Sequence, residues 1–266
     1  MSLKNLYEYD PQQVKFILED IRIVAFLYSF KMDEILNTFL RGLDNSDKIL
    51  SLINFLTTHK CEKLYYNDEN GIDKKINYCV AFEMLLKKIT FYVDTVALTV
   101  SNFRSIIMPT FFSLLFKISS YFKIRREMLG YRVIVLNEKT ELKPDVGFLS
   151  VSLNSMAALW IFGENVLSTY PENIRDTFKV YFYKIKINPG TFCIPITSLG
   201  TFNKDEQEIL FTNFYTLRID AIVQQKILFE KKKLNLYVKD VQDFEKFLSR
   251  KNLYTVEATL VARKKN

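Results

Sequence analysis

Glycine and proline are scarce, seven and six among 266 residues. That scarcity excludes collagen-like repeats and glycine-rich linkers. With nearly half the residues apolar, a sizeable core is available and long disorder is not expected. The glycines never fall at the spacing of a Rossmann turn or a P-loop, so the phosphates of any bound nucleotide would need arginine to hold them. Histidine is nearly absent. His59, in Thr57-Thr58-His59-Lys60-Cys61, lies between helical segments, away from the residues that suit catalysis. A serine or cysteine hydrolase that relies on a histidine base is therefore not expected. Cys61, Cys79 and Cys193 are odd in number and widely spaced, which fits a reducing compartment and not a disulfide framework. With His59 they lack the paired short spacings of a zinc site, and no metal is expected. No apolar segment opens the sequence as a secretory signal would. The longest uncharged run, 146–163, is broken by serines, an asparagine and glycines, and reads as a strand followed by a buried helix. An intracellular protein without a membrane span is the expectation.

What the sequence does hold falls into two grammars. Through about residue 125 the apolar residues recur at three-to-four spacing. Val14, Ile17, Leu18, Ile21, Val24 and Leu27 define a helix over 12–30, with Pro11 in its first turn. A second helix runs over 31–43 and stops near Gly42, and Asp44-Asn45-Ser46-Asp47 offers caps for a third over 48–57. After a polar stretch with the turn signal Asn70-Gly71, further helices are predicted over about 76–100 and 110–128. Beyond Gly130 the runs are short and β-branched. Strands are predicted over 131–136, 147–153, 178–187, 192–196, 208–211, 216–223, 226–229, 234–238 and 254–262, with helices over 154–162 and 241–249. The expected class is α+β: an all-helical lobe over 1–128, then a mainly antiparallel β unit over 129–266.

The net charge is +7, yet the lysines are dispersed except at Lys231-Lys232-Lys233 and Arg263-Lys264-Lys265. That pattern reads as a solvated face, and no recognition-helix or ribonucleoprotein motif accompanies it. No nucleic-acid partner is expected. A basic binding module without catalysis remains the alternative from a different functional class.

Three segments carry chemistry. Tyr131-Arg132-Val133-Ile134-Val135 puts an arginine into an apolar strand, a costly position unless its fork meets an anion. In Phe148-Leu149-Ser150-Val151-Ser152-Leu153-Asn154, strand alternation puts Ser150 and Ser152 on one face and Val151 on the other. In Gly200-Thr201-Phe202-Asn203-Lys204-Asp205-Glu206-Gln207-Glu208-Ile209-Leu210-Phe211, a polar loop runs into an apolar strand that opens with two glutamates. A strand through 206–208 would point both carboxylates the same way.

In that order and spacing, with Tyr183-Lys184-Ile185-Lys186-Ile187-Asn188-Pro189-Gly190-Thr191 before the acidic pair, the sequence resembles the mono-ADP-ribosyltransferases related to bacterial ADP-ribosylating toxins. Their signature is arginine, serine-threonine-serine and glutamate-x-glutamate. The resemblance covers about Leu129 to Ile222. Val151 stands where threonine is usual, and the loop aromatic Phe202 comes one position early, with Asn203 where it is expected.

The resemblance implies an NAD-binding β-sandwich core over 129–266 and an enzyme that cleaves NAD, releases nicotinamide and transfers ADP-ribose to a target protein. Glu208 would be the central carboxylate and Glu206 would orient the acceptor, most naturally an arginine. Arg132, Ser150 and Ser152 would hold NAD, and Phe202 and Asn203 would meet the target. NAD hydrolysis, with water as acceptor, is a second enzymatic alternative. Members of this family are often delivered into foreign cells as toxins or effectors, and helical segments before the core are common among them.

Overall fold

A computed structural model describes residues 3–28, 32–58, 63–67, 73–90, 97–137, 142, 147–159, 178–196, 207–224 and 253–263. Expectations for His59, Cys61, Phe202, Asn203, Glu206 and the segments 226–229, 234–238 and 241–249 lie outside them.

The chain opens with a helical turn, α1 (Leu3–Leu6), and a two-residue strand, β1 (Tyr7–Glu8). The helix expected over 12–30 is two: α2 (Pro11–Phe16), capped by the Asp10 carboxylate, and α3 (Leu18–Leu27), with a break at Ile17. Next come α4 (Asp33–Leu40), ended by Gly42 at φ 70°, and α5 (Ser46–Thr58). The region is not all helical. β2 (Lys63–Asn67) and β3 (Asp73–Asn77) pair antiparallel, so the helix predicted from residue 76 starts later, as α6 (Tyr78–Thr90). α7 (Val100–Asn102) and a π-helical turn, Phe103–Ile107, lead into α8 (Met108–Ser119). This last helix is shorter than expected, because the chain then forms β4 (Lys123–Ile124), which pairs with β1.

α3 is buried around nearly its whole circumference: Ile21, Ile23, Val24, Ala25, Phe26 and Leu27 are all covered. Such a helix lies at the centre of its lobe. Its one buried charge, Asp20, is 3% exposed and is met by Lys88 of α6 at 2.7 Å and Lys117 of α8 at 2.8 Å.

The second half builds one six-stranded sheet from β5 (Met128–Asn137), β6 (Leu149–Ser152), β7 (Phe178–Ile187), β8 (Glu208–Phe211), β9 (Tyr215–Gln224) and β10 (Leu253–Ala262). Their order is β8-β6-β5-β7-β10-β9, antiparallel except for β7 against β10. Among the described residues the second face of a sandwich is not formed by another large sheet. The strand expected over 192–196 reduces to two isolated bridges, Phe192 with Lys123 and Ile194 with Leu210. Gly190 takes the left-handed conformation at φ 79°, closing β7 at Asn188-Pro189-Gly190 as the turn signal predicts.

The core is one continuous cluster that runs from α3 and α8 into β6, β7, β8 and β10. The two expected domains therefore share a single apolar interior among the described residues.

Candidate functional site

Three of the residues singled out by sequence meet on neighbouring strands. β6 lies between β5 and β8, and its register sets the site. Ser152 is opposite Glu208 on one side and Tyr131, the neighbour of Arg132, on the other. Ser150 and Ser152 share a face, while Val151 points into the core and is 1% exposed. Gly130 allows β5 and β6 to approach, since a Cβ there would meet a Val151 methyl at 2.9 Å.

The Ser150 hydroxyl donates to Glu208 Oε1, and Arg132 Nη1 donates to the Ser150 carbonyl at 3.3 Å. All three side chains are half-buried. A guanidinium, a hydroxyl and a carboxylate thus gather in one place, held by ladder pairing.

Ser152 is used differently. It is 6% exposed, its hydroxyl donates to the Asn154 carbonyl at 2.9 Å, and it accepts from Asn154 N–H at 3.0 Å. Asn154 Oδ1 in turn accepts from the Met156 N–H at 3.0 Å, capping a helical segment over 155–159. This hydroxyl shapes the turn that ends β6.

β8 begins at Glu208, and Gln207 just before it has φ 45°. A left-handed residue is not part of a strand, so the strand starts at Glu208 and does not extend back through Gln207. Gln207 also accepts from the Leu153 N–H through its carbonyl at 3.2 Å, tying the start of β8 to the end of β6.

The helical half adds residues that the sequence reading did not single out. Asn37 of α4 accepts from the Phe148 N–H at 2.9 Å, two residues before Ser150. It also hydrogen-bonds the phenol of Tyr28, at the end of α3. The Phe148 ring meets Tyr28 edge-on at 6.5 Å and stacks on Phe112 of α8 at 5.6 Å. Gly147 is required here, because a Cβ would lie 2.2 Å from Asn37 Oδ1.

Burial pushes the Tyr28 phenol well above its ordinary pKa. The carboxylates of Asp33 and Glu208 add to the shift, against the opposing Arg132 and the Asn37 hydrogen bond. Asp33, in the first turn of α4, is raised to about 6, first by burial and then by the charges of Glu34 and Glu208. The Glu34 N–H and Lys48 oppose that rise. The sequence signal for these groups was slight: two short polar residues, Asp33 and Asn37, one turn apart beside the apolar pair Ile35 and Leu36.

Among the described residues no helix is long and apolar enough to cross a membrane, and no group of three or more acidic, cysteine or histidine side chains could hold a metal.

No family profile matches the chain, and no curated protein matches it in sequence. Solved structures resemble it at low identity. The ATR domain of Salmonella SpvB is 15% identical over 91% of this chain and 98% of that one, with a TM-score of 0.45. The catalytic domain of VahC from Aeromonas hydrophila is 12% identical over 92% and 99%, with a TM-score of 0.43. C3stau2 from S. aureus, solved with NAD, is 12% identical over 92% and 87%, with a TM-score of 0.40.

Proposed function

We propose that this chain is a mono-ADP-ribosyltransferase that cleaves NAD and transfers ADP-ribose to an arginine of a target protein. One observation carries the reading: the Ser150 hydroxyl of β6 bonded to the Glu208 carboxylate of β8, with the Arg132 guanidinium of β5 donating to the Ser150 carbonyl.

The chemistry asks for little else. The glycosidic bond from the ribose C1′ to the nicotinamide nitrogen breaks, and its electron pair leaves with nicotinamide, which departs neutral. No general acid is needed, which suits a sequence with a single histidine. The difficult species is the oxocarbenium-like ribose, as in other glycoside cleavage. A carboxylate fixed beside it stabilises the developing positive charge. Glu208 has that role in this reading, and Ser150 orients it. Arg132 would hold the pyrophosphate, since a guanidinium fork matches phosphate oxygens. Ser152 would support the cofactor side of the cleft through the turn it stabilises.

The acceptor nitrogen then bonds to C1′ and gives up its proton. Glu206 is the residue we assign to orient the acceptor guanidinium and take that proton. Phe202 and Asn203 are assigned to the target protein. These three assignments rest on the sequence resemblance.

The test is incubation with NAD labelled on its adenylate and a cell lysate, followed by mass spectrometry of labelled protein. A label on arginine is expected. Nicotinamide release without any labelled protein would move the reading to NAD hydrolysis, and no cleavage at all would overturn it.

A further inference from the structure

The candidate site has a charge supplied from the helical half. Asn37 fixes α4 against the start of β6 through the Phe148 N–H. Asp33 is one turn earlier on the same helix, so it projects from the same face. That face meets the entry to β6 through Asn37, and both Asp33 and the neighbouring Tyr28 are within electrostatic reach of Glu208. Asp33 is half-buried.

We propose that Asp33 is a second carboxylate of the cleavage site, acting with Glu208 on the positive charge that develops as nicotinamide leaves. The inference rests on the transferase reading and adds to it a residue from outside the three strand motifs.

The physical case is one of position against cost. A carboxylate placed near Glu208, with Glu34 beside it and burial against it, is less comfortable folded than unfolded, and its pKa of about 6 reflects that. The groups facing it are Glu208 from β8, Tyr28 from α3, Lys48 from α5 and Glu34 on its own helix. Lys48 is committed in part to Glu34, at 3.2 Å. Nothing in that set makes Asp33 a stabilising ion pair. A negative charge in this place is useful to a substrate whose positive charge moves from the nicotinamide ring to the ribose as the bond breaks. Set on the ribose side, it attracts the oxocarbenium more strongly than it attracts the nicotinamide cation of bound NAD, so it favours the transition state.

The sign follows. Below pH about 6 Asp33 is protonated in the folded protein, and Glu208 acts without it. As pH rises through 6 the second charge appears and NAD cleavage accelerates. Stability moves the other way. A carboxyl whose folded pKa is raised binds its proton more tightly folded, so its favourable contribution belongs to acid pH and is lost as pH rises.

The experiment uses the full chain and Asp33→Asn, which keeps an acceptor for the Glu34 N–H. Steady-state nicotinamide release is measured from pH 5 to 9, with urea unfolding at pH 8 alongside. Expected are a wild-type kcat that rises through pH 6 and a variant without that inflection. At pH 8 the variant kcat falls on the order of tenfold, with KM little changed, while its resistance to urea increases. A merely structural Asp33 would give the reverse in urea. A variant with the wild-type profile and kcat overturns this inference alone. A wild type that releases no nicotinamide at any pH overturns the transferase reading and this inference with it.

Discussion

Asn37 of α4 accepts a hydrogen bond from the Phe148 N–H of the β6 entry, and so fastens the helical half to the strand that carries Ser150. The helices are thereby part of the site's construction. Deleting Asn37 should be felt in both halves. Asn37→Ala leaves the Phe148 N–H without its acceptor in a buried setting, at a cost of about 1–3 kcal/mol. Urea unfolding measures that cost, and nicotinamide release should fall in the same variant. Asn37→Asp, which keeps an acceptor, should recover more stability than Asn37→Ala.

Val151 separates the two serines and faces inward, 1% exposed. Placing there the threonine usual in the family it resembles would bury a hydroxyl within the apolar core cluster. Val151→Thr should therefore destabilise by about 1–3 kcal/mol while leaving the rate of NAD cleavage nearly unchanged. Chemical denaturation and a nicotinamide assay on the same preparation decide it.

Asp20 predicts how the fold responds to acid. Burial alone would push its carboxyl up, but the hydrogen bonds and charges of Lys117 and Lys88 outweigh burial and hold it below its ordinary value. A depressed folded pKa means a contribution that is fully present above the unfolded pKa of roughly 3.9. It is lost as pH falls through the folded value. Stability should drop below about pH 4, and Asp20→Asn should flatten that part of the profile. At neutral pH the variant should lose about 1–3 kcal/mol, since the lysines that faced a buried carboxylate then face a neutral amide.

Arg132 separates charge from shape. Arg132→Lys keeps the positive charge but loses the planar fork, so it should raise the KM for NAD by roughly tenfold or more and change kcat less. Calorimetric titration with NAD gives the same comparison without turnover.

Much of the sheet could be read from the sequence because its strands are bounded by strong local signals. β7 runs over 178–187 as predicted, with its alternating apolar residues and the Asn188-Pro189-Gly190 stop. β8 begins at Glu208, where the charged loop gives way to Ile209-Leu210-Phe211. The pairing of β2 with β3 is hard to read because Leu64, Tyr65 and Tyr66 run consecutively without alternation and Asp73–Asn77 holds one apolar residue, Ile76. The break at Ile17 was missed because no glycine or proline marks it. The meeting of Arg132, Ser150 and Glu208 was anticipated from motif order. The parts played by Tyr28, Asp33 and Asn37 were not, because they arise from helix-on-strand packing between segments more than a hundred residues apart. The geometry before Glu208 was also misjudged, since a non-glycine residue at φ 45° leaves no mark in the sequence.

The central claim is that Glu208, held by Ser150, stabilises the ribose cation formed when NAD is cleaved. Nicotinamide release by purified protein, wild type beside Glu208→Gln, measures it most directly, with circular dichroism to establish that both are folded. The account predicts release by the wild type and a loss on the order of a hundredfold to a thousandfold in kcat for the variant, with NAD still bound. A folded Glu208→Gln that cleaves NAD at the wild-type rate would contradict it.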